Sequence, residues 1–279
     1  MSMSTVLRWI VTVMSLMPVL LGFSTAAVPA EATTQTYYMM VFSNPVAGHE
    51  DEYNKWYDEQ HIQDVTALPG FASSQRFVLN DPQMFPGVTV KMPRYLALYK
   101  IVTDDLVAVM TEVGRRVQTG QTKISPAYDR STANTYIYRF SRPEQRRTSP
   151  PTAPAGGRNV LYYHIVFTVP ASGKEAEFDR WYDEEHGPEM LMRPGILTAQ
   201  RMVLAQPGRG PITPTEAAAV FKVELPEGKP VYEPRPPGTK PPVRSTILDR
   251  TLTRGYTYRA IGPVIDGNTL RQEPIGSAR

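Results

Sequence analysis

Residues 56–61 read WYDEQH and residues 181–186 read WYDEEH, 125 positions later. A string holding Trp, Tyr and His that returns in one chain points to two related units, and such self-similarity outranks local signals. Aligned without a gap, residues 38–79 and 163–204 share 18 of 42 positions. The identities form blocks: Val-Phe, Pro, Gly and two glutamates, then the string, then Pro-Gly, Gln-Arg and Val-Leu. A second block aligns at an offset of 120, pairing Asp129-Arg130 with Asp249-Arg250 and Tyr136-x-Tyr138-Arg139 with Tyr256-x-Tyr258-Arg259. The pattern is that of an internal duplication.

Each copy reads as the same series of elements. Residues 36–42 and 160–167 are aromatic and β-branched, hence strands. Pro- and Gly-punctuated loops follow. From residue 50 to about 68, Tyr53, Trp56, Tyr57, His61, Val65 and Leu68 recur at helical spacing, with acidic residues in the first turn to suit the helix dipole. The second copy repeats the stripe with Phe178, Trp181, Tyr182, His186 and Met190, and Gly187-Pro188 is expected to end or kink that helix. Pro-Gly then turns each chain into a second strand (71–79; 196–204), and a third follows (94–102; 216–225). Residues 103–118 predict a second helix with Leu106, Met110, Val113 and Val117 on one face. At that place the second copy has residues 225–243, whose seven prolines exclude a helix and favour an extended arm. TYIYRF and GYTYRA close the two copies as strands.

The order β-α-β-β-α-β is the split pattern of a ferredoxin-like fold. The predicted class is α+β: two tandem ferredoxin-like repeats, residues 36–141 and 158–262, packing sheet to sheet as an intramolecular α/β barrel. A sheet with helices on one face must cover the other, and the matching sheet is the available cover. Residues 142–157 read as a Pro-rich linker and 263–279 as a tail.

A β-α-β-β-α-β unit with a W-Y-x-x-x-H helix, a Pro-Gly turn and a Gln-Arg strand resembles the dimeric α/β-barrel superfamily, EthD-like proteins in particular. The resemblance covers both copies and implies the fold. Relatives include cyclases, isomerases, cofactor-free monooxygenases, haem-dependent dismutases and proteins with no assigned activity. In several of them a small-molecule pocket between sheet and helices holds a His or Tyr that handles protons; by resemblance these are His61 and His186.

Composition narrows the classes. A net charge of +3 without a basic run excludes a nucleic-acid partner. The absence of cysteine removes disulfides, thiolate chemistry and Cys-based metal sites. Residues 1–30 read as a cleavable signal peptide, with one Arg, an apolar run over 9–23 and small residues before the cut. That predicts a secreted or periplasmic protein with no membrane attachment after cleavage.

The four histidines are His49, His61, His164 and His186. No metal motif, nucleotide loop or nucleophile elbow is present, so no cofactor is expected, with haem or metal left open. His61 on the inward helix face suits acid/base work, with Tyr57 assisting. Asp58, three residues earlier, is in reach to orient its ring, and Asp183 stands likewise to His186. The alternative is a core histidine that only fixes the helix. Tyr53, Trp56 and Tyr182 read as pocket walls or plain core. Arg76 and Arg201 read as anion holders, or as structural partners of Asp129 and Asp249. His164 replaces Met39 and is special to the second copy. The chemistry expected is cofactor-independent lyase, isomerase or cyclase work on a small hydrophobic or aromatic carbonyl compound. The competing expectation is a non-catalytic periplasmic binding or stress protein. A pseudo-dimer in one chain needs no second copy, although further oligomers are open.

Overall fold

The computed structural model describes residues 33–81, 83, 90–148, 158–206, 210–229, 231 and 246–272. The expected leader, most of the Pro-rich arm and residues 149–157 of the linker lie outside the described residues.

The first half holds β1 (Gln35–Pro45), β2 (Phe71–Leu79), β3 (Tyr95–Thr103) and β4 (Tyr128–Phe140), followed by the two-residue strand β5 (Gln145–Arg146). The second half holds β6 (Asn159–Thr168), β7 (Ile196–Gln206), β8 (Ala217–Pro226) and β9 (Arg254–Ala260), followed by the two-residue β10 (Ile265–Asp266). All pairings are antiparallel. The order β2-β3-β1-β4-β7-β8-β6-β9 returns to β2 through a β2–β9 pairing, so eight strands close into a barrel. The fold is α+β with few helices. The expectation of two sheets stacked face to face is corrected in one respect: the halves are stitched along two edges, β4 to β7 and β9 to β2. Edge pairing leaves no free strand edge in the ring, which is why closure is the stable outcome.

The two seams are reinforced reciprocally by the repeated residues. Tyr136 and Tyr138 donate hydroxyl hydrogen bonds to the Ile212 and Thr215 carbonyls of the second half, at 2.6 and 2.8 Å. Tyr256 and Tyr258 do the same to Val90 and Pro93 of the first half, both at 2.8 Å. The Y-x-Y repeat is thus a pair of staples. Gln75 and Gln200, the Gln of each Gln-Arg pair, donate to the Gly262 and Arg142 carbonyls at 2.9 and 2.8 Å. These carbonyls sit just before β10 and β5, short straps that pair with β2 and β7. The stretch read as a linker therefore begins with a structural strap, and the tail begins with its counterpart.

The barrel interior is filled. Met40, Phe42, Phe77, Tyr136, Tyr138, Phe167, Met202, Tyr256 and Tyr258 are all buried there, and Phe42 meets Tyr136 and Tyr258 at 5.6 and 5.7 Å between ring centroids. Side chains fill small eight-stranded barrels in this way. Two further cores lie outside the barrel wall, one per half, beneath the helices.

Those helices carry the repeated string. In the first half α1 (Glu50–Trp56) runs through a π-helical turn, residues 57–61, into α2 (Ile62–Thr66). Later comes α3 (Leu106–Gln118), capped by Asp105, whose carboxylate accepts from the Ala108 N–H at 2.8 Å. In the second half α4 (Glu175–Trp181) runs through the matching π turn, residues 182–186, into α5 (Gly187–Met192). The expected break at Gly187-Pro188 does not occur. Pro188 falls directly after the π turn, as the second residue of α5. Gly187 sits in close quarters: a Cβ there would displace the Gln145 amide and lie 3.0 Å from the Tyr182 carbonyl. A last short helix, α6 (Gly267–Gln272), docks on β2; its Arg271 donates to the Leu68 and Phe71 carbonyls at 3.0 Å each.

Candidate functional site

The π turns decide what the histidines do. The Ile62 and Gly187 N–H groups bond the Tyr57 and Tyr182 carbonyls, five residues back. In a regular α-helix residues five apart project about 140° from each other, whereas i→i+5 bonding brings them to one side. Trp56 and His61 therefore stack, with centroids 4.4 Å apart and planes at 24°. Trp181 and His186 repeat this at 4.5 Å and 14°. Each imidazole also meets the edge of the preceding tyrosine: Tyr57–His61 at 5.1 Å and Tyr182–His186 at 5.0 Å. Such turns are rare and frequent at functional sites.

Each imidazole is half-buried, and burial lowers both pKa values to about 4. Both rings are neutral near pH 7. For His61 the nearby Arg76 guanidinium adds to the effect. The Nδ1 atom of His61 is buried without a hydrogen-bond partner.

Asp58 does not orient His61. Its carboxylate accepts from Arg76 at 2.7 Å, and the Asn54 side-chain oxygen accepts from the same guanidinium at 2.8 Å. Arg76 is 1% exposed and lies over the Tyr57, Tyr95 and Tyr53 rings at 4.6, 5.3 and 5.4 Å. Arg201 repeats the arrangement, donating to Asp183 at 2.6 Å and to Asp179, above Tyr182 at 4.9 Å. Asp183 also accepts from Arg142 at 3.0 Å, and these arginines hold its carboxyl below the usual range despite partial burial. The predicted pairs with Asp129 and Asp249 are not formed. Those carboxylates cap their own turns, accepting from Ser131 and Thr251 N–H groups at 2.9 Å. The Gln-Arg pair thus joins the other half through Gln and its own helix through Arg.

Beneath the first π turn Tyr53 bonds Ser43 at 2.8 Å. Tyr57 and Tyr99 bring their hydroxyls toward each other without closing a well-formed bond, and the Tyr99 hydroxyl is left unpartnered. Burial raises the pKa of both, so both remain protonated. The site reading did not anticipate Tyr99. Its signal was the register that places β3 beside β1, with Tyr99 opposite Met39.

The second half puts different residues in the same register. Met39 pairs with Tyr99 and Ile137, whereas His164 pairs with Phe221 and Thr257. His164 is 1% exposed, and its Nδ1 lies 3.0 Å from the Thr257 hydroxyl. Burial lowers its pKa to about 3, with Arg193 and His186 contributing. His164 and His186 both face Phe221, at 6.2 and 6.3 Å between centroids. The Tyr182 hydroxyl is buried with no partner.

Elsewhere a cleft of about 830 Å³ opens by Pro170, Glu175, Thr215, Asp249 and Arg254. It contains none of the histidines. Among the described residues no three His, Asp or Glu side chains gather as metal ligands. Among them, too, no helix is long and apolar enough to cross a membrane.

No protein-family model and no curated protein matches this chain. Solved structures do match in shape. An anthrone oxidase-like protein superimposes with a TM-score of 0.55 at 11% identity, over 88% of this chain and 97% of its own. The "Putative monooxygenase" of Fusobacterium nucleatum subsp. nucleatum gives 0.48 at 7% identity, over 84% and 94%. One from Lactobacillus acidophilus gives 0.41 at 8%, over 83% and 100%. At such identities the likeness is one of fold, and the first match spans both halves of this chain.

Proposed function

We propose that the chain is an exported tandem duplication of a ferredoxin-like unit, with repeats 36–141 and 158–262 fused so that one molecule closes its own barrel. We infer that it is an enzyme of cofactor-independent proton transfer, of lyase, isomerase or cyclase type. Its substrate is a small apolar or aromatic carbonyl compound. The working site lies between helix and sheet in the first half. His61 serves as proton acceptor there, beside the Tyr57 and Tyr99 phenols.

One observation carries this reading: a neutral imidazole whose buried Nδ1 lacks a partner, in the layer that also holds the unpartnered Tyr99 hydroxyl. Unpaired buried polar atoms are costly and rare, so two in one layer are explained by a ligand that completes them. Arg76 is a positioning residue, holding the Tyr57 ring and the helix. A second reading is favoured by the pKa of about 4. General bases work best when their pKa lies near the operating pH, so such a ring suits hydrogen bonding in a binding or stress protein.

Deuterium incorporation separates the two. The protein is incubated in D2O with anthrone, chosen for the name of the fold neighbour, and with simple aryl ketones. Proton transfer at the acidic carbon, C10 of anthrone or the α-carbon of an aryl alkyl ketone, appears as catalysed exchange, and His61→Gln lowers it by roughly a hundredfold with little change in melting. Saturable binding without exchange establishes the binding protein instead.

A further inference from the structure

The cleft of about 830 Å³ holds none of the histidines, and the barrel itself fixes its walls. Val90 and Thr215 line it, and their carbonyls accept the Tyr256 and Tyr138 hydroxyls, both at 2.8 Å. Another wall is the turn that Asp249 caps, which holds Leu252 53% exposed. Just before that turn Leu248 is bridged to Pro170, also in the lining. A volume of this size suits a small molecule.

Arg254 is the unusual member of the lining. It is half-buried, and among the described residues no carboxylate pairs with it. One donor, Nη2, reaches the Thr213 carbonyl at 2.8 Å, while Nε is buried with no partner. A guanidinium brings five N–H donors and a full charge, and a partly desolvated one is costly unless an anion matches it. Arg76 and Arg201 have that match in Asp58 and Asp183. Asp249 does not supply it here, because its carboxylate is spent on the Thr251 N–H and hydroxyl. Glu175, Glu216 and Arg250 also line the cleft, but they are exposed at its rim, where water and salt screen their charges.

The first half has sealed the equivalent position. At the offset of 120, Asn134 stands for Arg254. It is fully buried, and its side-chain oxygen accepts from the Ile212 N–H at 2.8 Å. Gly210 packs so closely there that a Cβ would lie 2.3 Å from that oxygen and 2.5 Å from the Ala133 carbonyl. Arg254, by contrast, stands on an open cleft.

We propose that this cleft is a ligand site, separate from the helix–sheet layers, for a small monocarboxylate with a compact apolar body. The Arg254 guanidinium takes the carboxylate, and the body packs on Leu252, Pro170 and Pro214. The site goes beyond the proposed proton transfer and uses none of its residues.

The test titrates the full chain, at low ionic strength, with benzoate and with benzamide, which has nearly the same shape without the charge. Calorimetry gives the affinities, and NMR at the Thr251 N–H reports the place. The expected result is saturable benzoate binding that shifts Thr251, with benzamide weaker by about tenfold or more, the scale of hydrogen bonds to a charged group. Arg254→Gln removes the preference. Leu252→Glu alters only an exposed side chain, so folding is kept, and it weakens benzoate by about fivefold or more through lost packing and added repulsion. His61→Gln leaves benzoate binding unchanged, so the two sites fail separately. The proposal is overturned if benzoate leaves Thr251 unmoved, if benzamide binds equally well, or if Arg254→Gln keeps the preference and only lowers the melting temperature. That last result would make Arg254 a tie to the Thr213 loop. Should Arg254→Gln not fold, an unchanged benzoate affinity in Leu252→Glu overturns the proposal instead.

Discussion

Compared position by position, the halves separate two kinds of residue. What they share holds the barrel: the Tyr pairs at 136/138 and 256/258 staple the seams, Gln75 and Gln200 hold the straps, and Arg76 and Arg201 pin the helices. Where they differ, the differences crowd into one layer, around Tyr99 in one half and Phe221 with His164 in the other. Scaffold residues are held in duplicate because each seam needs its own copy. A residue free to diverge answers to something other than the seams, and a ligand is the simplest candidate. The shared histidines fall between the classes. Each is locked by its Trp stack, yet only His61 leaves a buried ring nitrogen unpaired.

The largest test of that comparison is at the arginines. Arg76→Ala removes a fully buried guanidinium from three tyrosine rings and leaves a void, so the expected loss is about 3–4 kcal/mol. Arg201, with a side chain 11% exposed and lying over only Tyr182 and Phe178, should cost about half as much. Denaturant midpoints of the two variants measure the difference. Equal losses would mean that the halves are equally dependent on this clamp.

Acid should separate the halves next. The folded-state pKa values of His61, His186 and His164 lie below the ordinary value of 6.5, at about 4, 4 and 3. In that range the unfolded chain binds more protons than the folded one. Their contribution is complete above pH 6.5 and is lost as pH falls through 4, and for His164 through 3. The second half carries two of the three groups. His164→Met, the first-half residue, should flatten the acid limb of melting temperature against pH by the equivalent of on the order of 2 kcal/mol. An unchanged acid limb would show that the His164 imidazole is not held neutral by the fold.

Between these and the smallest effect stands the seam itself. Tyr138→Phe and Tyr258→Phe each remove a buried hydrogen bond of 2.8 Å and orphan a carbonyl of the opposite half. Each should cost about 1 kcal/mol, and the two should add, since they lie on separate seams. Thermal melts of the single and double variants check both points, and unequal costs would show that one seam dominates closure.

The legibility of the sequence followed the range of the interaction. Strands were legible because aromatic and β-branched runs keep their meaning locally, and every expected strand is present, although β4 begins at Tyr128, seven residues before the expected run. The π turns were not, because the stripe from Tyr53 to Leu68 fits α and π spacing alike, and only the backbone bond from Ile62 to Tyr57 tells them apart. The partner of Arg76 was not legible because the sequence repeat offers Asp129 as readily as Asp58, and sequence does not say that Asp129 is spent on its own turn. The strap at Gln145 was hidden by Pro-rich composition, although Pro143 and Pro263 match at the same offset of 120 as the Y-x-Y block. Of the candidate site, the histidines and Tyr57 stood in the repeat itself. Tyr99 and the Phe221–Thr257 neighbours of His164 needed strand register, which no single segment contains.

The smallest expected effect bears on the difference most directly. Tyr99→Phe gives the first half the phenyl ring that the second half has at 221. The Tyr99 ring is fully buried and packs edge-on to Phe71 at 5.7 Å, contacts that Phe retains. Only the hydroxyl is lost, and it has no well-formed partner. Removing a satisfied buried hydroxyl costs about 1 kcal/mol, whereas removing an unsatisfied one is near neutral or stabilising. The expected change is therefore within about 0.5 kcal/mol of zero, measured by chemical denaturation. If the proposed function holds, catalysed deuterium exchange should weaken all the same, because a phenol of that layer is gone. A loss of stability near 2 kcal/mol would mean that Tyr57 and Tyr99 are firmly bonded to each other. The first half would then have no unpaired phenol to offer a ligand, and the contrast between the halves would reduce to packing.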